Sequence, residues 1–378
     1  MDDKQNRCAY VEKGIRLRVF NDSNGLQCLA VPCCHISATD KIQHGKIESY
    51  EDVINHKTLT YFRDYFRDND DLPRPCAECI NMERKGLESP RIKINKKDFD
   101  DYDINILNVV LGNSCNLACP FCNSNASSLI AKLSTSLNED ERPITWKPAT
   151  NFSKGSNATP EIIADILKNK KVHTLKLIGG EPFLKENWDR ISEVIGSDAC
   201  KDMHLDVTTN GTILNDDIFE KISKTKSAYL RISVDSIGKN YEFIRWPHSW
   251  DKMHRNLDYL RNNKFTNISI GVSNLVNIFN FEFLPEIEEY FFDISNRVGY
   301  VTEIKPATHI QNYENLPEHI IEYVRSKIKR DSLKHALVKK DHGHSKEKIK
   351  KEFEILLAQR KMKAEDVIGP MTREWLGL

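Results

Sequence analysis

Three cysteines stand within eight residues of one another, Cys115, Cys119 and Cys122, at the spacing C-x3-C-x2-C. Thiolates crowded this closely in a loop can converge on a soft metal centre. Three is the informative number. A closed structural zinc site takes four protein ligands. A four-iron cubane held by three cysteines leaves one iron open to a substrate or cofactor. A zinc ion that borrows its fourth ligand from elsewhere in the chain is the competing reading.

A second set lies upstream: Cys8, Cys28, Cys33, Cys34, Cys76 and Cys79. In a chain with no visible secretory signal, clustered cysteines read as metal ligands before disulfides. The pair Cys76-x2-Cys79 fits a zinc ribbon or an iron–sulfur site equally. Cys200, alone beside Lys201-Asp202, reads as an ordinary thiol at a helix end.

Four polar segments close or line apolar runs. In Gly179-Gly180-Glu181-Pro182 the glycines let the backbone approach a ligand, and the carboxylate can accept from an ammonium group. Thr208-Thr209-Asn210-Gly211 offers hydroxyls and an amide suited to a ribose, or a plain Asn-Gly turn. In Arg231-Ile-Ser233-Val-Asp235, strand alternation puts Arg231, Ser233 and Asp235 on one face. That face lines an interior cavity or makes a surface salt bridge. Gly271-Val-Ser273-Asn274-Leu-Val-Asn277 and Lys305-Pro306 end two further runs. Arg245, closing Tyr241-Glu-Phe-Ile-Arg245, serves substrate or structure.

The elements that must position these groups follow from the pattern. Strands are expected near 104–111, 172–178, 204–209, 228–235, 267–273 and 299–305, with helices between them. One such helix spans 160–169, where Thr159 is an N-cap, Pro160 opens the first turn, and Ile162, Ile163, Ile166 and Leu167 share a face. Such alternation makes parallel βα units with right-handed crossovers. The fold class is α/β, a partial (β/α)6 TIM-like barrel. The expected domains are a small irregular cysteine-rich unit at 1–100, the barrel at 101–312, and a helical charged C-terminal extension at 313–378. His335, His342 and His344 fall on a solvated face of that extension. Residues 134–158, rich in polar residues and interrupted by Pro143, Pro148 and Gly155, read as a lid or a solvated insertion.

Lysine plus arginine and aspartate plus glutamate each number 55, so the balance carries no strong nucleic-acid or anionic-membrane signal. No apolar run approaches the ~20 residues that span a bilayer. A cytoplasmic protein is the expectation.

The order of these motifs resembles that of the radical S-adenosylmethionine (radical SAM) enzymes, whose signature is C-x3-C-x2-C. The resemblance covers about residues 104–310. It implies that Cys115, Cys119 and Cys122 hold a [4Fe-4S] cluster and that Phe121 is the aromatic residue beside it. It implies that Gly179, Gly180, Glu181 and Pro182 bind the amino group of S-adenosylmethionine. Thr209, Asn210 and Ser233 would meet its ribose, Arg231 its carboxylate, and Asn277 its adenine and ribose. Asp235 would reach cofactor or substrate and is the catalytic candidate. The implied reaction is reductive cleavage to a 5′-deoxyadenosyl radical, which abstracts hydrogen from a substrate.

The N-terminal cysteines, with Glu83, Gly86 and Ser89-Pro-Arg91, resemble the auxiliary modules called SPASM and twitch domains. Here they precede the barrel, as in a set of radical enzymes that includes phage-encoded ones. Cys76, Cys79, Cys33 and Cys8 would then hold an auxiliary [4Fe-4S] cluster, with Cys28 and Cys34 as substitutes. Such modules point to a peptide or protein substrate; a carbohydrate, nucleoside or other small molecule is the alternative. A flavodoxin or ferredoxin is the implied electron donor. The rival from another class is a non-catalytic iron–sulfur or zinc-binding regulatory protein.

Overall fold

The computed structural model describes residues 7–36, 41–148, 159–263, 265–294, 299–303, 311–337 and 345–378. Its strands are β1 (Ile15–Asp22), β2 (Gly25–Val31), β3 (Gly45–Lys46), β4 (Ile104–Val110), β5 (Val172–Ile178), β6 (His204–Thr209), β7 (Ser227–Ser233), β8 (Ile268–Leu275) and β9 (Gly299–Glu303). The last six fall where the apolar runs predict them. The arrangement is an α/β fold with mostly parallel strands. Packing divides the chain into two compact units. One comprises Met1–Ser114, Thr150–Val207 and Asn215–Ala228; the other comprises Cys115–Ala149, Thr208–Leu214 and Tyr229–Leu378.

In the first unit the strands run in the order β3-β2-β1-β4-β5-β6. β1 and β2 form an antiparallel hairpin. β1 also pairs in parallel with β4, from Ile15 opposite Leu107 to Arg18 opposite Val110. The alternation Ile15, Leu17, Val19 buries one face of β1, which specifies its register against a sheet rather than leaving it in an irregular module. β4–β5 and β5–β6 are parallel. The helix Thr159–Asn169 buries Ile162, Ile163, Ile166 and Leu167, the predicted face. The helix Lys57–Asp68 packs Phe62 and Phe66 against Cys8 and Val11.

In the second unit β7, β8 and β9 are neighbours in that order, β8 and β9 in parallel. The helix Trp250–Asn262 buries Met253, Leu257 and Leu260. The C-terminal helix Lys346–Arg360 buries Ile349, Phe353 and Leu356, and with them Glu352 and Arg360. Phe353 lies edge-on to Phe279 at 4.9 Å and stacks with Phe243 at 6.4 Å. This helix is therefore a core element of the charged C-terminal extension. His335 is exposed, as expected. Within residues 134–148 most positions are exposed, but Ser134, Pro143 and Trp146 are buried, Trp146 against Ala118 and Ile130. Gly155, Lys305-Pro306, His342 and His344 lie outside the described residues.

Candidate functional site

The cysteine loop belongs to the second unit, and its backbone is held at nearly every step. Ala118 N–H donates to the Trp246 carbonyl at 2.8 Å. Ser127 Oγ donates to the Leu117 carbonyl at 2.6 Å. Arg360 Nη2 donates to the Ala118 carbonyl at 3.0 Å. The Pro120 carbonyl accepts from Thr145 Oγ1 at 2.5 Å and from Gln311 Nε2 at 2.8 Å. Such bonds hold a loop that side-chain packing alone would leave mobile.

Two of the three sulfurs also receive donors. Asn210 Nδ2 lies 3.8 Å from Cys115 Sγ, and Arg245 Nη1 lies 3.6 Å from Cys119 Sγ. Cys119 is buried; Cys115 and Cys122 are half-buried. Burial raises the Cys119 thiol, an effect that Arg245 and Arg360 oppose. Burial, and then the neighbouring Cys119 and Cys115, push Cys122 up to about 12. A metal that binds here must displace those protons. Among the described residues no set of three or more His, Cys, Asp or Glu groups is drawn together around a single ion. Soft thiols on one loop, two of them with N–H donors aimed at sulfur, have the chemistry suited to an iron–sulfur cluster, whose potential such bonds tune.

Arg245 is the hub beneath the loop. It pairs with Asp235, is buried, and sits over the Phe121 ring at 5.6 Å. Burial works against its charge, but Asp235 and then Cys119 outweigh it and hold Arg245 above its ordinary value. Asp235 follows the end of β7 with φ of 67°, a left-handed conformation that few non-glycine residues adopt. It therefore leaves the strand row expected for it. Its Oδ1 accepts from Leu275 N–H at 2.8 Å. Of the row, Arg231 and Ser233 remain on β7, and Arg231 lies over the Tyr229 ring at 5.7 Å.

Asn210 Nδ2 also donates to Asn116 Oδ1 at 2.9 Å, and its Oδ1 accepts from Thr212 N–H and Oγ1. Thr209 Oγ1 accepts from Gly211 N–H. Asn277 is buried and engaged locally: Nδ2 donates to Leu275 O at 2.7 Å and Oδ1 accepts from Phe279 N–H at 2.9 Å.

In the first unit, Gly179-Gly180-Glu181-Pro182 follows β5 as expected. Gly179 and Gly180 have φ of 80° and 54°. A Cβ on Gly180 would lie 2.4 Å from the carbonyl oxygen of Ser114, and one on Gly179 would lie 2.5 Å from Val110 Cγ1. Glu181 N–H donates to the same Ser114 carbonyl at 2.7 Å. Ser114 directly precedes Cys115 in the chain. Glu181 is buried, and its Oε1 accepts from Phe183 N–H at 3.1 Å.

Residues 109–293, which contain all of these motifs, match the model of the Radical SAM superfamily. That segment, just under half of the chain, is similar to the radical SAM enzymes. The probable GTP 3′,8-cyclase of Methanocaldococcus jannaschii is 23% identical over 254 residues, 60% of this chain and 76% of that protein. The GTP 3′,8-cyclase of Sulfurimonas denitrificans is 23% identical over 146 residues, 38% of this chain and 39% of that protein. The chain thus spans well under half the length of the second relative. Among solved structures, native anSMEcpe with bound AdoMet matches over 53% of this chain and 52% of its own, at 16% identity and a TM-score of 0.37. Streptococcus suis SuiB bound to precursor peptide SuiA matches over 84% and 69%, at 16% identity and a TM-score of 0.37.

Members of the radical SAM superfamily use a [4Fe-4S] cluster and S-adenosylmethionine. The upstream cysteines sort by position. Cys8, Cys33, Cys76 and Cys79 line one cavity of about 20 Å³, with Tyr10, His35, Phe66 and Arg91 among its other walls. Burial pushes Cys8 up to about 11 and Cys33 and Cys76 to about 12. Cys28 is buried in β2, and Cys34 is exposed. The lining has the ligand type and number for a four-cysteine site, while the space holds about one water. Beside it, the Glu83 carboxylate takes Arg91 Nη2 at 2.5 Å and Ser89 Oγ at 2.5 Å. Arg91 Nη1 donates to the Arg7 carbonyl at 2.9 Å, next to Cys8. The Glu83, Ser89 and Arg91 pattern is therefore a clamp on the cysteine-bearing backbone. No helix among the described residues is long and apolar enough to cross a membrane.

Sequence reasoning left Arg245 open and passed over Asn116, Gln311, Glu352 and Arg360. Arg360 carries no local signal. It ends a helix whose sequence, Lys346-Glu-Lys-Ile-Lys-Lys-Glu, opens as a run of surface charge.

Proposed function

We propose that Cys115, Cys119 and Cys122 hold a [4Fe-4S] cluster with one iron open to S-adenosylmethionine. On this reading the chain generates a 5′-deoxyadenosyl radical to abstract hydrogen from a peptide or protein. The observation that carries the cluster assignment is the pair of donors aimed at sulfur, Asn210 at Cys115 and Arg245 at Cys119. When bound, the cluster supplies one electron to S-adenosylmethionine. The chain's own residues do the rest. The pinned carbonyls of Ala118 and Pro120 hold the loop. The Gly179-Gly180 backbone provides a close-approach surface for the cofactor's amino group. Arg231 supplies a positive charge for its carboxylate, and Thr209 and Ser233 supply hydroxyls for its ribose. Positioning is the larger part of such catalysis. Asp235, paired with Arg245, reads as a positioning residue.

β4–β9 are read as a partial (β/α)6 barrel. Cys8, Cys33, Cys76 and Cys79 are read as ligands of an auxiliary [4Fe-4S] cluster of the SPASM or twitch kind. A flavodoxin or ferredoxin would supply electrons, and a cytoplasmic setting would keep these thiols reduced. The auxiliary set favours a peptide or protein substrate. The two GTP 3′,8-cyclase relatives favour a second reading, a nucleotide substrate.

The test is anaerobic reconstitution with iron and sulfide, then reduction with S-adenosylmethionine. The expected result is 5′-deoxyadenosine, with a yield raised by the true substrate; GTP and candidate peptides are compared directly. A reducible cubane that yields no 5′-deoxyadenosine sinks the enzyme mechanism. Cys76→Ala with Cys79→Ala should lower bound iron from roughly eight to roughly four per chain. Zinc rather than iron at these cysteines in the wild-type protein would refute the auxiliary cluster alone.

A further inference from the structure

Cys119 is the most deeply enclosed of the three cysteines in the loop, and two buried guanidiniums flank its segment. Arg245 reaches its sulfur at 3.6 Å. Arg360 donates to the carbonyl of the preceding residue, Ala118, at 3.0 Å, and lies over the Phe243 ring at 4.6 Å. The two are not equivalent. The Asp235 carboxylate balances Arg245. Arg360 has no ion pair within reach among the described residues. Its Nε and Nη1 are buried without a hydrogen-bond partner there. The buried acid on its own helix, Glu352, is engaged by Ile144 N–H at 3.0 Å and Gln311 Nε2 at 3.1 Å. Burial works against the Arg360 charge, opposed by Cys119 and then Glu352, and a buried guanidinium with no contacting carboxylate is costly unless something nearby is negative. It also lies beyond the region that matches the superfamily model, residues 109–293.

We propose that Arg360, with Arg245, is a positioning residue that sets the reduction potential of the cluster held by Cys115, Cys119 and Cys122. This rests on the cluster assignment made above. A cluster on three thiolates becomes one unit more negative when it accepts an electron from an external one-electron reductant. A fixed positive charge beside it in a water-poor interior favours the reduced form. Arg360 is the stronger lever because no carboxylate contacts it as Asp235 contacts Arg245, and Glu352 acts on it only through space. The C-terminal helix is then part of the redox machinery, and its charge is supplied from outside the cysteine-bearing segment.

The experiment uses the full chain, reconstituted anaerobically with iron and sulfide. Electron paramagnetic resonance follows a potentiometric titration of the signal that changes on adding S-adenosylmethionine. Arg360→Gln should load iron as wild type does, yet need a more negative potential. The expected loss is about tenfold in the reduction equilibrium, ~59 mV for one electron. Arg360→Lys should recover most of that shift. Arg245→Gln should shift in the same direction by less. An unchanged midpoint in iron-loaded Arg360→Gln overturns the proposal. So does a lysine variant that behaves like glutamine, or failure of both Arg360 variants to load, which would assign the residue to loop folding alone. A wild-type protein with no signal responsive to S-adenosylmethionine overturns the underlying cluster assignment, and is thereby distinguished from the other outcomes.

Discussion

The side-chain amide of Asn210 spans Cys115 and Asn116, 3.8 Å from the Cys115 sulfur and 2.9 Å from Asn116 Oδ1. Asn116 in turn donates to Thr212 Oγ1 at 2.9 Å. The Thr-Asn-Gly segment after β6 thus orients the first cysteine of the loop. Partners of metal ligands cost about 10–100-fold in metal affinity or activity when removed. Asn210→Ala should lose iron faster than wild type in a chelator challenge while its melting temperature barely moves. Equal loss rates would leave Asn210 as a turn residue only.

Gly180 tests the backbone geometry at its approach to Ser114. Its φ of 54° and the 2.4 Å approach of a built Cβ to Ser114 O both oppose any side chain. Gly180→Ala should destabilise by on the order of 2 kcal/mol or more, read from the urea midpoint. A variant as stable as wild type would show that the Ser114 turn can move aside.

Asp235 and Arg245 form a buried pair, and removing one partner strands the other. Asp235→Ala should cost about 3–5 kcal/mol. Asp235→Asn should cost less, because asparagine tolerates a left-handed φ and still accepts from Leu275 N–H. Equal destabilisation by the two substitutions would mean that the pair charge, not the backbone conformation, governs the site.

Glu352 gives a pH signature. Burial raises its pKa above the ordinary Glu value, although Ile144 N–H and Gln311 oppose that shift. The folded state therefore holds its proton more tightly than the unfolded state does. The associated stability is fully present below the unfolded value and is lost as pH rises through the raised folded value. Glu352→Gln should gain on wild type in thermal midpoint across that window, starting above the ordinary Glu range. A difference that stays constant with pH would show that the carboxyl is ionised throughout.

The spacing of Cys115, Cys119 and Cys122, the strand-end motifs and six strand positions were legible in the amino-acid sequence. Each is a local pattern: a short run of apolar residues, a tight cysteine spacing, a glycine pair. The helical face of Thr159–Asn169 was readable for the same reason, since periodicity and capping act within a few residues.

What only the tertiary structure decided is which distant side chains meet. β1 joins β4 across a sequence gap of about ninety residues. Cys8, Cys33, Cys76 and Cys79, and not Cys28, share a cavity. Arg360 reaches Ala118 from 242 residues away. No spacing rule encodes such pairings, because they arise from how helices and strands pack once formed. The charged C-terminal run becomes core where its apolar face is covered. The guanidinium at its end is then buried beside the cysteine loop whose spacing the sequence alone had singled out.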